Sequence, residues 1–429
     1  MPCTAQRPPR GFASLFSHDL IIKRVDPVKI TALRLREVTG RFEYAGRFWE
    51  DWLVRPLDMY TTRHAVAEEG IASNGDGSYA ISAIFLEVLT DSELVGLAGP
   101  VASDWAYIID RQLKDVIIGE DPLATERLWD MLYRSAVHGR KGVVMQAISA
   151  IDCALWDLKG KWAGVPVYRL LGGPLREVIP AYASTLGVSV EPEAAAAKAK
   201  ALAAEGYTAL KWFFKYGPAA GSAGLADNLA LAHAVREAVG DEVDLMFDAW
   251  MSFDVPYATK LGLALAAVHP RWLEEAVPPD RIESSAELRR RLPFPIATGE
   301  HEYTRWGTKQ LLDAGAADVI QPDIYWAGGI SEVVKICTLA STYDVQVIPH
   351  GHSTPTTAQL LYAQPPQLCP LIEYLLKWNQ IHQPFLRTPL QPVNGMVVPP
   401  DWPGMGMELD DAKILRQREL HWDEHGTQA

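Results

Sequence analysis

The chain has 429 residues, of which 48% are hydrophobic and 22% are charged, and its formal net charge is −13. This size predicts one large domain with a smaller one, and no apolar run approaches the length needed to cross a bilayer. The negative charge argues against nucleic acid as a partner, because phosphate binding normally requires a basic face.

The N-terminal segment and the cysteines bear on location. Residues 1–27 have no clear periodicity and lack the long apolar stretch of a secretory signal. Cys3, Cys153, Cys337 and Cys369 have neither paired metal-ligand spacing nor the density of a disulfide scaffold. We therefore expect free thiols, a reducing cytoplasm, and an N-terminal extension that is flexible or wraps the surface.

Residues 28–173 are predicted to form an α+β domain. The strand-like run VKITALRLREV is followed by a loop rich in aromatic residues and arginine, and then by the runs YAISAIFLEVLTD and ELVGLAG. Helical segments come next, ending with residues 144–161, whose apolar side chains recur at helical intervals.

Eight strand-like runs follow, each succeeded by helical sequence: VIPAYAS, TALKWFF, VDLMFD, PRWLEE, PIATGE, ADVIQPD, VQVIPH and PLIEY. This alternation predicts an α/β fold, a modified TIM (β/α) barrel over residues 174–385. No glycine fingerprint or Walker sequence indicates a nucleotide. Residues 386–429 are rich in Pro and Gly and are predicted to pack back on the first domain, completing it as a cap.

Three acids end successive predicted strands at equal intervals. Asp248, Glu274 and Glu300 are each separated by 26 residues (274 − 248 and 300 − 274). An isolated acid is usually a solvated charge. The C-terminal ends of parallel barrel strands converge, however, and carboxylates there can share one Mg²⁺. The repeated spacing therefore predicts a magnesium site.

The next two predicted strands end in Asp323 and His350. An aspartate that accepts one ring N–H fixes the imidazole tautomer and leaves the other nitrogen to take a substrate proton. We predict this pair as a catalytic base. His352, two residues later, is the alternative base, and otherwise a candidate for substrate binding.

Four more residues near predicted strand ends are candidates. Lys211 would place an ammonium near a bound carboxylate, the alternative being a lysine whose stem packs while its charge reaches solvent. Glu373 would donate or accept a hydrogen bond at a developing enediolate, or form a salt bridge. His301 and Arg305 would contact the substrate or cap the following helix.

Several segments together carry a family resemblance: AISAIDCALWDLKGKWAGVPVYRLLGG, FDAW, LEEAV, GEH, QPDIYWAGG and PHGHS. Over residues 28–420 the chain resembles the mandelate racemase subgroup of the enolase superfamily. The resemblance implies a symmetric homo-oligomer and Mg²⁺ as cofactor. The residues it implies are the ligands Asp248, Glu274 and Glu300, the base dyad Asp323–His350, and Glu373 facing an enediolate oxygen. Glu275 is implied to make neighbouring contacts.

One departure from the subgroup indicates the reaction. Its racemases have Lys-x-Lys on the second barrel strand, whereas this chain has Lys211, Trp212 and Phe213. Racemisation by two bases needs groups on opposite faces of a carbanion, so the loss of one favours a reaction that His350 performs alone. The runs FDAWMSFDVPYATKLGLAL, LEEAVPPD and TGEHEYTRWG resemble the acid-sugar dehydratases, the rhamnonate dehydratase family among them.

The implied activity is Mg²⁺-dependent dehydration of a small-molecule sugar acid to a 2-keto-3-deoxy acid, with residues 40–63 supplying specificity. The sugar stereochemistry stays open. A racemase or epimerase is the enzyme alternative and needs a second base such as Lys215. The second alternative is a protein that binds a sugar acid without turning it over. Cycloisomerases are disfavoured, because they place a lysine where this chain has Asp323.

Overall fold

An antiparallel sheet with alternating burial opens the described part of the chain. The computed structural model describes residues 28–60, 71, 73–423 and 425–428. The predicted extension 1–27 lies outside the described residues, as do residues 61–63 of the predicted specificity loop. The sheet has the order β13-β1-β2-β3, with strands β1 Ile30–Glu43, β2 Ser78–Thr90, β3 Val95–Val101 and β13 Arg416–Leu420.

The C-terminal strand β13 completes this sheet by pairing with β1, with Leu35 opposite Leu420. The helices of this region are α1 Ser103–Ile108, α2 Lys114–Ile117, α3 Thr125–Ser135, α4 Val143–Ala163 and α5 Val167–Leu170. The helices α1, α2 and α4 contact the sheet, and α4 packs on both β2 and β3. At Gly96 a Cβ atom would lie 2.1 Å from the Ala154 carbonyl oxygen, so a glycine there lets β3 pack directly on α4.

All eight predicted barrel strands are present and parallel, in the order β10-β9-β8-β7-β6-β5-β4-β11. They are β4 Ile179–Ser184, β5 Ala209–Phe213, β6 Asp244–Asp248, β7 Trp272–Glu274, β8 Ile296–Thr298, β9 Val319–Ile320, β10 Gln346–Val347 and β11 Ile372–Leu375. A short strand, β12 Met396–Val397, pairs antiparallel with β4. The modified TIM barrel with an α+β cap is confirmed, while the chain divisions at residues 173 and 385 stay predictions.

Helices follow the barrel strands: α6 Pro192–Ala204, α7 Gly221–Val239, α8 Val255–Leu265, α9 Ile282–Arg291, α10 Thr304–Asp313, α11 Ile324–Ala327, α12 Gly329–Ser341, α13 Thr354–Leu361 and α14 Leu376–His382. None of the described helices combines the length and apolar character that crossing a membrane requires.

The barrel interior is layered by the two-residue period of its strands. One buried apolar cluster takes a residue from within or beside each strand: Tyr182, Ala209, Met246, Trp272, Ala297, Val319, Ile348 and Leu371. The positions two residues further on are Ser184, Lys211, Asp248, Glu274, Gly299, Gln321, His350 and Glu373. Chemistry-bearing residues therefore form the layer directly above an apolar floor, at the barrel mouth (the C-terminal ends of β4 to β11).

A buried polar network joins the cap to the barrel. The Asp152 carboxylate on α4 accepts hydrogen bonds from the backbone N–H of Ser331 at 2.9 Å and from its hydroxyl at 2.6 Å. The Gly328 N–H donates to the Ser149 hydroxyl, and the Trp129 indole donates to the Gly328 carbonyl. The cap thus holds the segment that follows Asp323.

The Asp152 carboxyl should give this protein a distinct pH dependence of stability. Burial raises its pKa from 3.8 to about 7, so between these values the folded state retains a proton that the unfolded chain has released. The free energy of unfolding should therefore fall as pH rises through this window. Between pH ~5 and ~8, wild type should lose on the order of 2 kcal/mol more than Asp152→Asn, measured by urea unfolding. Equal losses would contradict the prediction.

Candidate active site

Lys211 lies at the centre of the polar layer, and its side chain is only 1% exposed. Its Nζ atom lies 3.1 Å from Asp248 Oδ2 and 2.9 Å from Glu373 Oε1, and it also pairs with Glu274. Burial disfavours the charged amine, but these carboxylates hold the pKa of Lys211 well above its ordinary value. The solvent-directed alternative for Lys211 is therefore wrong.

Glu274 and Glu373 are fixed by further hydrogen bonds. Glu274 Oε2 accepts from the Trp272 indole at 2.9 Å and from the Gln321 amide at 2.8 Å. Glu373 Oε2 accepts from the Gly351 N–H at 2.9 Å. Burial opposes ionisation of Glu373, but Lys211 and then His350 lower its pKa. In these contacts Glu373 acts as a hydrogen-bond acceptor.

The predicted metal ligands have different charged partners at the mouth. Asp248 joins Glu274 around Lys211, whereas Glu300 lies near the histidines, with Oε1 3.4 Å from His301 Nδ1. Within the described ranges, the ligand group whose atoms all lie within 4.8 Å of one another is Glu275, Glu300 and His301. The predicted trio does not form such a group in this part of the chain.

The mouth carries an excess of buried negative charge. Burial and then repulsion from Glu274 raise the pKa of Asp248 well above its ordinary value. Burial also raises the pKa of Glu300 to about 7. Oxygen ligands that repel one another in a buried site suit a hard divalent cation. The residues present therefore fit Mg²⁺.

The predicted dyad is formed. His350 Nδ1 lies 2.6 Å from Asp323 Oδ2, and the other Asp323 oxygen accepts the Tyr325 N–H at 2.7 Å as the N-cap of α11. His350 Nε2 faces Glu300 at 3.9 Å. Burial disfavours the imidazolium, yet Glu300 and the hydrogen bond to Asp323 raise the pKa of His350 to about 10. The free nitrogen thus points toward the carboxylates.

Tryptophans that the sequence reasoning did not single out flank His301 and His350, Trp326 and Trp378 among them. The Trp326 ring centroid lies 5.3 Å from that of His301 and 4.9 Å from that of His350. The Trp378 ring lies 6.0 Å from His350. Trp326 follows Asp323 by three residues in QPDIYWAGG. Residues three apart lie on the same face of a helix, so a helix predicted to begin at Asp323 could have indicated Trp326.

His301 lies among the buried carboxylates of the mouth. Its Nδ1 atom lies 2.9 Å from Glu275 Oε2. Burial lowers its pKa, but Glu275 outweighs this effect and raises the pKa to about 9. Glu275 therefore makes the neighbouring contact that the sequence implied, and the contact is to an ionised histidine.

His352 and Arg305 face the cap. His352 Nε2 lies 3.2 Å from the Pro100 carbonyl on β3, and burial lowers its pKa. Arg305 lies 5.7 Å from the ring centre of Trp129 in the cap. It also pairs with Glu332 at 2.5 Å and stacks over Trp306 at 4.1 Å. The structure brings neither into the carboxylate cluster, and their substrate-binding roles stay predictions, like the other assigned roles.

The barrel, its cap, and a mouth that joins buried carboxylates to a His–Asp dyad define the enolase type of barrel enzyme. Residues 69–172 match the protein family described as "Mandelate racemase / muconate lactonizing enzyme, N-terminal domain". Residues 194–413 match the family described as "Enolase C-terminal domain-like". The chain belongs to the enolase superfamily, as the sequence indicated.

Known proteins refine this placement. L-rhamnonate dehydratase of Saccharopolyspora erythraea is 35% identical over 416 residues, covering 92% of this chain and all of that protein. Rhamnonate dehydratase from Gibberella zeae complexed with Mg is similar in structure, with TM-score 0.76, 29% identity, and coverage of 90% and 95% of the two chains. The 3,6-anhydro-D-galactonate cycloisomerase from Zobellia galactanivorans has TM-score 0.71 and 27% identity, with coverage of 90% and 100%. The backbone of this chain is thus similar to those of enzymes that catalyse different reactions, a dehydratase and a cycloisomerase.

Proposed function

We propose that this enzyme dehydrates a sugar acid to a 2-keto-3-deoxy sugar acid in the presence of Mg²⁺. The observation that carries the proposal is the His350–Asp323 dyad, joined at 2.6 Å, whose free Nε2 faces the buried carboxylates. The similarity to rhamnonate dehydratases supports the same activity.

Asp248, Glu274 and Glu300 are proposed to hold Mg²⁺. When bound, the cation supplies positive charge that makes the proton beside a substrate carboxylate more acidic. Lys211 is a buried ammonium with three carboxylate partners, two of them these acids. It is proposed to exchange one of these partners for an oxygen of the substrate carboxylate.

His350 is proposed to remove the C2 proton through Nε2 in its neutral form. Glu300 is a main cause of the raised His350 pKa, so a cation held by Glu300 would offset that effect and favour the neutral imidazole. Asp323 holds Nδ1, so it sets the tautomer and stabilises the imidazolium that forms. The C–H electron pair passes into an enediolate. The C3–O bond then breaks, and the leaving hydroxide takes a proton to become water. The imidazolium of His350 supplies that proton where departure is on the same face, and the enol at C2 becomes the ketone.

The racemase alternative needs a second base that the strand β5 does not provide. The inward position after Lys211 is Phe213, whose ring lies 5.2 Å from Lys211 Nζ. Lys215 Nζ lies 2.7 Å from Asp51 of the cap. The alternative of a binding protein without turnover is disfavoured because the dyad is intact.

A screen of sugar acids tests the proposed reaction. We expect a 2-keto-3-deoxy acid to form from one or a few members of a stereochemically broad panel that includes rhamnonate, lyxonate, fuconate and a 3,6-anhydro acid. Formation should require Mg²⁺ and should be lost in His350→Asn. Solvent deuterium in recovered, inverted substrate would instead support an epimerase, and binding without turnover would support the non-catalytic alternative.

A cytoplasmic location and a symmetric homo-oligomer are proposed with this function. Cys153, Cys337 and Cys369 are free and buried, which suits a reducing compartment.

A further inference from the structure

We infer that two barrel lysines, Lys215 and Lys377, hold residues 46–55 of the cap (the cap loop) against the barrel mouth and thereby raise the affinity for substrate. They are positioning residues, because each acts through the loop. The activity readout of this inference rests on the proposed dehydration, but the structural readout does not.

Lys377 ties the cap loop to the end of β4. It lies on the first turn of α14, four residues after Glu373, and its side chain is 3% exposed. Its Nζ atom donates to the Phe48 carbonyl, to the Gly187 carbonyl at 2.8 Å and to Glu50 Oε1 at 2.8 Å. These bonds use all three ammonium hydrogens, and their acceptors lie on two segments that are distant in sequence.

Lys215 ties the same loop to the end of β5. It pairs with Asp51 at 2.7 Å, and that carboxylate also accepts the Val190 N–H at 3.1 Å. The Val54 N–H donates to the Phe214 carbonyl at 2.7 Å. Lys215, which was considered as a second base, is therefore engaged with the cap.

Close packing at Gly187 completes the arrangement. The Glu50 N–H donates to the Gly187 carbonyl at 2.8 Å. Gly187 has a φ of +80°, and a Cβ atom there would lie 2.0 Å from the Trp49 ring. Trp49 therefore rests on bare backbone, and only glycine allows this approach.

The location of these contacts at the barrel mouth distinguishes them from other contacts between the cap and the barrel. β11, β4 and β5 are consecutive barrel strands, and their ends also carry Glu373 and Lys211. The lysines thus fix the cap loop to the chain segments that directly follow two residues proposed to act on the substrate. An ordered loop lowers the conformational entropy that binding must otherwise remove. Loosening it should raise KM more than it lowers kcat.

The variants separate positioning from loss of charge. Lys215→Met and Lys377→Met each remove a cation that could itself attract an anionic substrate. Gly187→Ala displaces Trp49 without changing charge, and the swap Lys215→Asp with Asp51→Lys preserves both the pair and the net charge. Lys335→Met is the matched control, because it breaks the Lys335–Glu126 ion pair, 2.7 Å long and also between barrel and cap.

Hydrogen–deuterium exchange without substrate gives the structural readout. We expect the Glu50 and Val54 amides to exchange about tenfold faster or more in Lys377→Met, Lys215→Met and Gly187→Ala, with the β1 amides unchanged. Unchanged loop exchange in all three variants would overturn the inference, whether or not the protein turns over a sugar acid. Faster loop exchange in a protein without dehydratase activity would retain the loop contacts and reject the proposed function.

Steady-state kinetics on the substrate found in the screen gives the second readout. We expect KM to rise about tenfold and kcat to change less than about threefold in the three variants, with partial recovery in the charge swap. The Lys335→Met control should match wild type. A KM within about twofold of wild type for Gly187→Ala, or a swap no better than Lys215→Asp alone, would overturn the assignment to affinity.

Discussion

Replacing His350 with asparagine is expected to lower kcat by about 10³-fold, within the range that general acid–base catalysis contributes. The asparagine amide can still donate to Asp323, but it offers no basic nitrogen toward Glu300. Deuterium from solvent should also fail to enter C2 of the substrate. Single-turnover kinetics in D₂O would measure both effects.

Binding should survive this substitution. Mg²⁺ affinity and the substrate Kd, measured by calorimetry, should stay within about threefold of wild type, because a residue acting mainly in the transition state contributes little to ground-state binding. His352→Asn is the comparison variant, since His352 contacts the Pro100 carbonyl and not the carboxylates. A larger kcat loss in His352→Asn than in His350→Asn would move the base to His352.

The strand pattern could be predicted because it depends only on residues that are close together in the sequence. In each barrel strand an apolar inward residue precedes, by two positions, the residue at the mouth, as in Met246 and Asp248 or Ile348 and His350. A period of two needs no long-range information. The dyad was predictable for a different reason: Asp323 and His350 follow consecutive parallel strands, and the ends of such strands lie close together.

Contacts between cap and barrel could not be predicted. Arg305 follows the site residue His301 closely in sequence, yet its guanidinium lies 5.7 Å from the centre of the Trp129 ring of the cap. Its direction is set by the turn entering α10 and by the cap packed against it. Lys377 likewise meets Phe48, a partner 329 residues away. No local period records such pairings.

The adjacent acids Glu274 and Glu275 show a different limit. The sequence places both acids at the end of one strand, but the direction of each side chain depends on the backbone conformation there. Glu275 has a φ of +42°, so the chain turns immediately after Glu274. Glu274 points to Lys211 and Glu275 to His301. The turn lets two neighbouring carboxylates both enter the mouth.

The Mg²⁺ ligand can be decided by comparing Glu274→Gln with Glu275→Gln. We expect Glu274→Gln to weaken Mg²⁺ binding by roughly 100-fold or more and to abolish turnover, since losing even an outer-sphere partner of a ligand typically costs about 10–100-fold. Glu275→Gln should instead remove the anion that stabilises the His301 imidazolium. Its Mg²⁺ affinity should fall less than about tenfold.

The contrast between the two variants is informative because each acid already has a cationic partner. Lys211 neutralises Glu274, and a bound cation must compete with it or share its carboxylates, whereas His301 neutralises Glu275. Calorimetric titration with Mg²⁺ and the screened substrate assay would be run on both. If Glu275→Gln loses the metal while Glu274→Gln keeps it, the cation is held by Glu275, Glu300 and His301, the group whose ligand atoms already lie within 4.8 Å of one another. Asp248 and Glu274 would then be partners of Lys211 alone, and the equal spacing of the three acids would reflect the strand repeat without a shared metal.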